Sequence, residues 1–210
     1  GAKRAVAFDL NADCSGFLFA LNTAYSYFKS GIYKSALIVG AEVLSKIMDW
    51  TDRGTCILFG DGAGAVYVEA DEAAEDTYRF VQHADGRKGM VLKCGTRDIE
   101  NLIYKGEESL KYVWMDGREI FKFAVGQIPV CINEVLDKAQ MTAEDVDLFV
   151  LHQANLRIIS SISKKLGRDM EAFPHNVERV GNMSSASIPV LLDEINRGGM
   201  LKRGMKLVLS

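Results

Sequence analysis

The stretch Asp9-Leu-Asn-Ala-Asp-Cys14-Ser-Gly-Phe17 places a cysteine where a short apolar run gives way to an amphipathic segment. The apolar run predicts a strand over Arg4–Leu10, and the helical spacing after the cysteine predicts a helix over Ser15–Ser30. A sulfur at a helix N-terminus lies among unsatisfied N–H groups and at the positive end of the helix dipole. This position therefore favours the thiolate, the form in which cysteine is a nucleophile. The alternative interpretation is a buried structural cysteine.

Two later stretches have a similar arrangement. Phe149-Val-Leu-His152-Gln-Ala-Asn155-Leu-Arg157 runs from an apolar strand into a helix, with His152 at the junction. Gly181-Asn182-Met-Ser-Ser-Ala-Ser187 is a small-residue loop that leads into another helix. Cys14, His152 and Asn182 thus occupy comparable corners, where side chains collect at one end of a sheet. The alternatives are a satisfied core histidine and an asparagine that only caps a turn.

Four ordered strings resemble those of the β-ketoacyl-acyl carrier protein synthase III family, in the thiolase-like superfamily: NADCSGF, DRGTCILFGDGAGAV, LHQANLRII and GNMSSASIP. The resemblance runs from about Phe8 to the last residue and is weaker between Asp71 and Tyr112. It implies an α/β thiolase-like fold, with duplicated βαβ halves in a layered α-β-α-β-α architecture that is here truncated. Residues 1–112 would hold the remainder of the first half, with the nucleophile and a connecting hairpin or loop region, and residues 113–210 the second half, with the histidine and the asparagine.

Family members have a segment before the strand that leads to the nucleophile. They also continue beyond the last strand into a Gly-rich loop, which supplies a backbone N–H to the oxyanion hole. Against that pattern the chain is expected to be a fragment that lacks both parts. The function implied by the resemblance therefore belongs to the complete protein.

The predicted elements alternate between strands and helices, starting with a βαβ unit that ends in a strand over Ser35–Glu42. A Gly-rich turn at Gly60–Gly64 leads into a strand and lacks the ending of a phosphate loop, which indicates a structural turn. The other predicted segments are Thr55–Phe59 and Ala63–Ala70 on either side of that turn, a hairpin and loop from Asp71 to about Tyr112, a helix over Gly117–Lys138 kinked at Pro129, a capping box at Thr142 and Asp145, a strand over Asp147–Leu151, helices over Asn155–Leu166 and about Ser187–Arg197, and a strand over Lys206–Ser210.

The chain also repeats itself weakly. Cys14, a helix, Gly31 and a strand parallel Asn182, a helix, Gly198 and a strand. This parallel is mild support for duplicated halves, since any two βαβ units look partly alike.

Composition is that of an ordinary soluble enzyme. The 210 residues are 48% hydrophobic, enough for one domain or two tightly packed halves. The net charge of −3 does not suggest a nucleic-acid or membrane partner, and no apolar run approaches the roughly 20 residues that span a bilayer. The four cysteines, Cys14, Cys56, Cys94 and Cys131, show neither paired nor metal-ligand spacing. We expect reduced thiols, a cytoplasmic location and no metal.

The resemblance implies decarboxylative carbon–carbon bond formation between thioesters. Cys14 would carry the acyl group of a short acyl-coenzyme A, and His152 and Asn182 would stabilise the enolate derived from malonyl-acyl carrier protein. The product would be a 3-oxoacyl-carrier protein that initiates fatty acid elongation. Coenzyme A enters as a thioester substrate, and no cofactor is required.

Substrate contacts are also implied by the resemblance. Arg53 matches an arginine that contacts the nucleotide end of coenzyme A, and Asn155 matches a residue of the pantetheine tunnel. Lys122, Arg157 and Lys164 match residues that dock the carrier protein, and the active form is expected to be a homodimer. Basic residues gather on the helix that follows His152, at Arg157, Lys164, Lys165 and Arg168; the alternative is a solvated basic face.

Three other functions remain open at this point. Papain-like cysteine hydrolases also have Cys, His and Asn in chain order. A synthase of secondary metabolism, of quinolone or polyketide type, belongs to the same superfamily. A non-catalytic acyl-binding fragment is the third.

Overall fold

The computed structural model describes residues 3–71, 78–95 and 112–210. Its strands are β1 (Ser35–Glu42), β2 (Gly62–Glu69), β3 (Leu92–Cys94), β4 (Val113–Met115), β5 (Leu148–Val150) and β6 (Leu207–Leu209). Its α-helices are α1 (Gly16–Lys29), α2 (Arg53–Cys56), α3 (Gly117–Ala139), α4 (Leu156–Leu166), α5 (Val177–Val180) and α6 (Ser187–Arg197). A short 3-10 turn precedes both α1 and α6, and we name these the Cys14 turn (Asp13–Ser15) and the Ser184 turn (Ser184–Ala186).

The described strands form three pairs. β1 and β2 are antiparallel, with Ser35 opposite Glu69 and Glu42 opposite Gly62. β3 and β4 are also antiparallel, whereas β5 and β6 are parallel. β5 is buried along its whole length, whereas β6 buries Val208 and leaves Leu207 exposed by 38%.

Most elements with strong local signals form where the sequence predicts them. β1 has the predicted bounds, and α1, α3, α4, α6 and β6 differ from the prediction by at most one residue at either end. At the predicted capping box, the backbone N–H of Thr142 donates to the Asp145 carboxylate at 2.8 Å. Pro129 lies inside α3, and the kink there stays a prediction.

The strand predicted over Arg4–Leu10 is wrong. This segment has no regular secondary structure, and its apolar side chains are largely exposed, Val6 by 65% and Phe8 by 57%. A strand needs a neighbouring strand to receive its N–H and C=O groups, and no described strand pairs with this segment. The expected opening βαβ unit is therefore absent from the described structure.

Two further segments differ in part. Thr55 and Cys56 are helical, at the end of α2, although the turn that follows leads into β2 as predicted. In the expected hairpin and loop from Asp71 to about Tyr112, the structure describes β3, which pairs with β4. Residues 72–77 and 96–111 of that prediction lie outside the described residues.

β5 separates two hydrophobic cores because its side chains alternate between its faces. Phe149 and Leu151 contribute to a core shared with α3 and α4. Leu148 and Val150 contribute to a second core shared with α1, β1 and α6. The strand just before His152 is thus held from both sides.

The weak internal repeat has a structural counterpart. The Cys14 turn and the Ser184 turn both contain a non-glycine residue with positive φ, Asp13 at 45° and Ser184 at 47°. The helices that follow end near glycines of matching φ, Gly31 at 72° and Gly199 at 71°. The counterpart of Gly31 is therefore Gly199, and the sequence pairing with Gly198, at φ −69°, is one residue out of register.

The division of the chain at residues 112 and 113 stays a prediction.

In the part of the chain that the structure describes, no helix combines the length and apolar character that crossing a membrane requires.

Candidate active site

The segments that carry Cys14, His152 and Asn182 meet at one hydrophobic core. Phe17 follows Cys14 on α1, Val150 precedes His152 on β5, and Ile188 follows Asn182 on α6; all three belong to the same cluster of buried side chains. Their exposed fractions are at most 2%. This core fixes the three corners relative to one another.

Cys14 lies in the Cys14 turn, half-buried, and this turn packs against the Ser184 turn. Burial raises the pKa of the Cys14 thiol above its usual value, and the charges of Asp13 and Glu42 raise it further. A hydrogen bond with the Ser184 side chain acts in the opposite direction on this pKa. The expected preference for the thiolate is therefore wrong, since burial and two nearby carboxylates raise this pKa more than the Ser184 hydrogen bond lowers it. The resting sulfur is a thiol, which must lose its proton as it attacks.

His152 lies at the carboxyl end of β5, where its backbone N–H donates to the Ser210 carbonyl at 2.5 Å. Both ring nitrogens are buried, and neither has a hydrogen-bond partner among the described residues. Burial lowers the pKa of His152 to about 4. The ring is neutral near pH 7, so one nitrogen is a donor and the other an acceptor. Both nitrogens of the neutral ring are therefore available to a bound group.

Asn182 is 8% exposed, and its backbone N–H and carbonyl are both hydrogen-bonded. Its N–H donates to the Leu58 carbonyl at 2.8 Å, and its carbonyl accepts from the Gly60 N–H at 2.9 Å. The side-chain Oδ1 accepts a hydrogen bond from the Ser184 N–H at 2.9 Å. The amide oxygen is therefore occupied, and the Nδ2 group remains as the donor.

The Gly-rich turn supports the Asn182 loop directly. A Cβ built on Gly60 would lie 2.1 Å from the Val180 carbonyl oxygen, and one on Gly62 would lie 2.3 Å from the Met183 sulfur. The turn is thus a structural element, as its sequence context indicates. Its contact with the loop that carries Asn182 is not visible in the sequence.

Lys122, Arg157 and Lys164 are exposed on the packed helices α3 and α4. Lys122 forms an ion pair with Glu119 at 2.6 Å, and the Arg157 guanidinium lies 5.6 Å from the centre of the Phe121 ring. The side chains around Arg157 form an open depression of about 370 Å³, lined by Leu156, Arg157, Ser160, Ser161 and Lys164. The three basic residues therefore share one surface, to which we refer as the α3–α4 surface.

The other two basic residues expected on this face, Lys165 on α4 and Arg168 just after it, each donate to backbone carbonyls. Lys165 donates from Nζ to the Val125 carbonyl at 2.7 Å and so joins α4 to α3. The Arg168 guanidinium is partly buried, donates to the Val146 carbonyl at 3.0 Å and lies over the Phe149 ring. The basic face expected at four positions is therefore reduced to Arg157 and Lys164.

Arg53 and Asn155 both lie at helix starts. Arg53 is the exposed first residue of α2, next to the N-cap Asp52. Asn155 is the N-cap of α4, and its Oδ1 accepts from the Arg157 N–H at 2.8 Å. Capping is thus the visible role of the Asn155 side chain, and the coenzyme A contacts of both residues stay predictions.

The remaining cysteines lie in ordinary surroundings. Cys56 is buried beside Leu44 and Met48. Cys131 is half-buried on α3, where burial and Glu134 raise its pKa, and Cys94 is exposed at the end of β3. Across residues 3–71, 78–95 and 112–210, His, Cys, Asp and Glu side chains form no group of three that would hold a metal ion.

Comparison with known families gives two matches. The family model described as 3-oxoacyl-[acyl-carrier-protein] synthase III matches residues 8–86, and that of the C-terminal part of the same synthase matches residues 136–210. The β-ketoacyl-[acyl-carrier-protein] synthase III of Clostridium acetobutylicum is 48% identical over 211 aligned residues, which cover 100% of this chain and 64% of that protein. The chain thus spans a little under two thirds of this relative.

Solved structures share the fold over the same extent. The 3-oxoacyl-[acyl-carrier-protein] synthase III of Aquifex aeolicus VF5 is 41% identical, with a TM-score of 0.89, over 99% of this chain and 63% of that one. The priming β-ketosynthase of the R1128 polyketide pathway is 32% identical, with a TM-score of 0.87, over 99% of this chain and 62% of that one. The thiolase-like α/β fold expected from the sequence is therefore confirmed.

Proposed function

The chain belongs to the 3-oxoacyl-[acyl-carrier-protein] synthase III family, and on this premise we propose that the protein carrying it joins a short acyl-coenzyme A to malonyl-acyl carrier protein. The reaction is a decarboxylative Claisen condensation that initiates fatty acid synthesis. The proposal rests on the state of the His152 ring. Its two buried nitrogens have no partner among the described residues, and its pKa of about 4 keeps the ring neutral. A neutral, unpaired histidine is suited to receive an enolate oxygen and unsuited to holding a permanent charge.

In the first step, the Cys14 sulfur attacks the thioester carbonyl of the acyl-coenzyme A. A new thioester forms on Cys14, and coenzyme A leaves as a thiol that takes up the proton released by the cysteine. Because the pKa of the Cys14 thiol is raised, this proton must be removed during the attack rather than before it. The hydrogen bond with Ser184 favours the developing negative charge on the sulfur.

In the second step, malonyl-carrier protein loses carbon dioxide, and the electrons of the broken bond form an enolate. The Nδ2–H of Asn182 and an N–H of His152 would donate to the enolate oxygen, an interaction that stabilises the developing charge most where water is excluded. The enolate carbon attacks the acyl group on Cys14. The Cys14 sulfur then leaves as the thiolate. Both donors are set by the structure around them: the Asn182 oxygen accepts from Ser184, and the His152 ring is uncharged.

The substrate contacts are proposals of the same kind. Arg53 would bind the nucleotide end of coenzyme A, and Asn155 would line the pantetheine tunnel. Lys122, Arg157 and Lys164 on the α3–α4 surface would attract the acidic carrier protein. We further propose a cytoplasmic homodimer that requires no cofactor.

A priming synthase of secondary metabolism is the second candidate. The observation that favours it is the likeness to the R1128 polyketide priming synthase, whose TM-score of 0.87 is close to that of the Aquifex aeolicus enzyme. The chemistry at Cys14 would be the same, and the acyl group and the destination of the product would differ.

A cysteine hydrolase is less compatible with the geometry. In such an enzyme the asparagine accepts a hydrogen bond from the histidine and orients it. The Oδ1 of Asn182 instead accepts from the Ser184 N–H, and the ring nitrogens of His152 have no partner in the described part of the chain.

The test is a product analysis with the intact protein that carries this chain. Incubation with acetyl-coenzyme A and malonyl-carrier protein should release carbon dioxide and form the 3-oxoacyl-carrier protein, and a Cys14→Ala variant should form none of the condensed product. Release of free acetate without carbon dioxide would indicate a hydrolase. Binding without either reaction would indicate a non-catalytic acyl-binding protein.

A further inference from the structure

Ser185 lies at the contact between the segments of Cys14 and Asn182. A Cβ built on Gly40 of β1 would lie 2.5 Å from the Ser185 carbonyl oxygen, so the backbones of β1 and the Ser184 turn touch. A Cβ built on Gly16, at the start of α1, would lie 3.3 Å from the Ser185 Cβ. Ser185 therefore touches β1 on one side and the helix that follows Cys14 on the other.

Glu42, the last residue of β1, forms a polar clamp on this contact. Its Oε1 accepts a hydrogen bond from the Ser185 hydroxyl at 2.6 Å and another from the Ser185 N–H at 3.2 Å. Both bonds are partly buried and have a charged acceptor, which makes them stronger than neutral hydrogen bonds. They join two parts of the chain that are 143 positions apart.

The clamped residue, Ser185, is adjacent to Ser184, which is hydrogen-bonded to both Asn182 and Cys14. Ser184 donates its N–H to the Asn182 Oδ1, and its side chain forms a hydrogen bond with Cys14. Its φ of 47° is sparsely populated for a residue other than glycine, and such a conformation persists only where the surroundings enforce it. Glu42 binds the turn one residue further along the chain, at Ser185.

We propose that Glu42 is a positioning residue, which holds the Ser184 turn through Ser185 so that the Asn182 amide points at the enolate; this inference rests on the proposed condensation. Glu42 touches no substrate in this account. Its carboxylate holds the Ser184 turn through the two hydrogen bonds to Ser185, and its charge separately raises the pKa of Cys14. The glycine contacts bring the turn against β1, and the carboxylate fixes its orientation.

The proposal separates two steps of the reaction. Opening the acyl thioester requires Cys14, whereas decarboxylation requires the Asn182 amide to be aimed correctly. Misplacement of a catalytic group by about 1 Å costs about 100-fold in rate. Loss of the clamp in Glu42→Ala should therefore slow decarboxylation about 10- to 100-fold. Acylation of Cys14 should be slowed less, because the same change removes a charge that raises the pKa of the thiol.

The test uses four variants of the intact protein. Glu42→Ala removes both hydrogen bonds, Glu42→Gln retains an acceptor oxygen without the charge, and Ser185→Ala removes only the shorter bond. Glu69→Ala is the matched control, because Glu69 ends the neighbouring strand β2 and accepts from Tyr67 rather than from the Ser184 turn. Carbon dioxide release from malonyl-carrier protein, acylation of Cys14 and the melting temperature are measured for each.

We expect Glu42→Ala to lose decarboxylation, Ser185→Ala to lose part of it, and Glu42→Gln to recover most of it, with Glu69→Ala unchanged. Wild-type decarboxylation in both Glu42→Ala and Ser185→Ala would overturn the proposal. Equal losses in acylation and decarboxylation, together with a lower melting temperature, would also overturn it, because they indicate a role in folding alone. If Glu42→Ala does not fold, Ser185→Ala and Glu42→Gln decide by the same criteria. Asn182→Ala in the same assays separates this inference from its premise, since full decarboxylation in that variant would refute the proposed role of Asn182 whatever Glu42 does.

Discussion

The Oδ1 atom of Asn182 accepts a hydrogen bond from the backbone N–H of Ser184 at 2.9 Å. This bond determines which end of the amide is available, because the oxygen is occupied and the nitrogen remains to donate. Ser184 can present its N–H in this way because its φ is 47°. The conformation of the Ser184 turn therefore orients the Asn182 amide. Its nitrogen, which attracts a negative charge, is left to donate, rather than its oxygen, which would repel one.

We predict that Asn182→Asp lowers malonyl decarboxylation about 100- to 1,000-fold, the usual cost of losing one oxyanion donor. Aspartate has nearly the same size but presents oxygens only, so packing is preserved while the donor is lost. Carbon dioxide release from malonyl-carrier protein measures the effect, with acylation of Cys14 as the internal control. A variant that decarboxylates at the wild-type rate would assign Asn182 a structural role.

The burial of His152 predicts a pH dependence of stability. The pKa of this histidine is about 4 in the folded protein and 6.5 when unfolded, so the unfolded chain binds the proton first as the pH falls. The folded state should lose about 3 kcal/mol from this group between pH 7 and pH 4. Denaturant unfolding of the wild type and of His152→Gln should give a difference in stability that changes over this range. Parallel curves would mean that His152 titrates normally in the folded protein.

The Cys14 thiol should react slowly with an alkylating reagent at pH 7 and faster as the pH rises, because its pKa is raised by burial. Ser184→Ala removes a hydrogen bond that lowers this pKa and should move the alkylation profile to still higher pH. Mass spectrometry of each cysteine over a pH series provides the measurement, and the exposed Cys94 serves as the reference. An unchanged alkylation profile in Ser184→Ala would show that Ser184 does not influence the pKa of the Cys14 thiol.

The α3–α4 surface should matter only for the carrier-bound substrate. The double variant Arg157→Glu and Lys164→Glu should raise the KM for malonyl-carrier protein about tenfold at low salt, with a small acyl thioester used nearly as before. The effect should shrink with added salt, since exposed charges are screened beyond about 8 Å at physiological ionic strength. Steady-state kinetics over a salt series measures it.

A matched control is available on the loop before β6. Lys202→Glu and Arg203→Glu make the same change in net charge at exposed positions outside the α3–α4 surface. If this control and the α3–α4 variant had equal effects, net charge rather than docking would be responsible.

Local signals explain what the sequence could predict. The helices α3 and α6 form within one residue of their predicted ends because the signals for them are local. These signals are the apolar spacing along each helix, Asp116 at the start of α3 and Gly198–Gly199 at the end of α6. The candidate corners could be located for the same reason, since each lies where one local pattern changes to another.

Distant contacts explain what the sequence could not predict. The run Arg4–Leu10 has the composition of a strand, but strand formation depends on a partner elsewhere in the chain. The pKa of Cys14 depends on burial and on Glu42, which belong to other segments. The clamp between Glu42 and Ser185 likewise joins residues that no local pattern connects.

Peptide mapping by mass spectrometry shows whether Cys14 carries the acyl group. The intact protein is incubated briefly with acetyl-coenzyme A, digested and analysed before and after malonyl-carrier protein is added. We predict an acetyl adduct on Cys14 alone among the four cysteines, which disappears as the 3-oxoacyl-carrier protein forms. An adduct on Cys56, Cys94 or Cys131 with none on Cys14, or an adduct on Cys14 that malonyl-carrier protein does not discharge, would show that Cys14 is not the acyl carrier of the condensation.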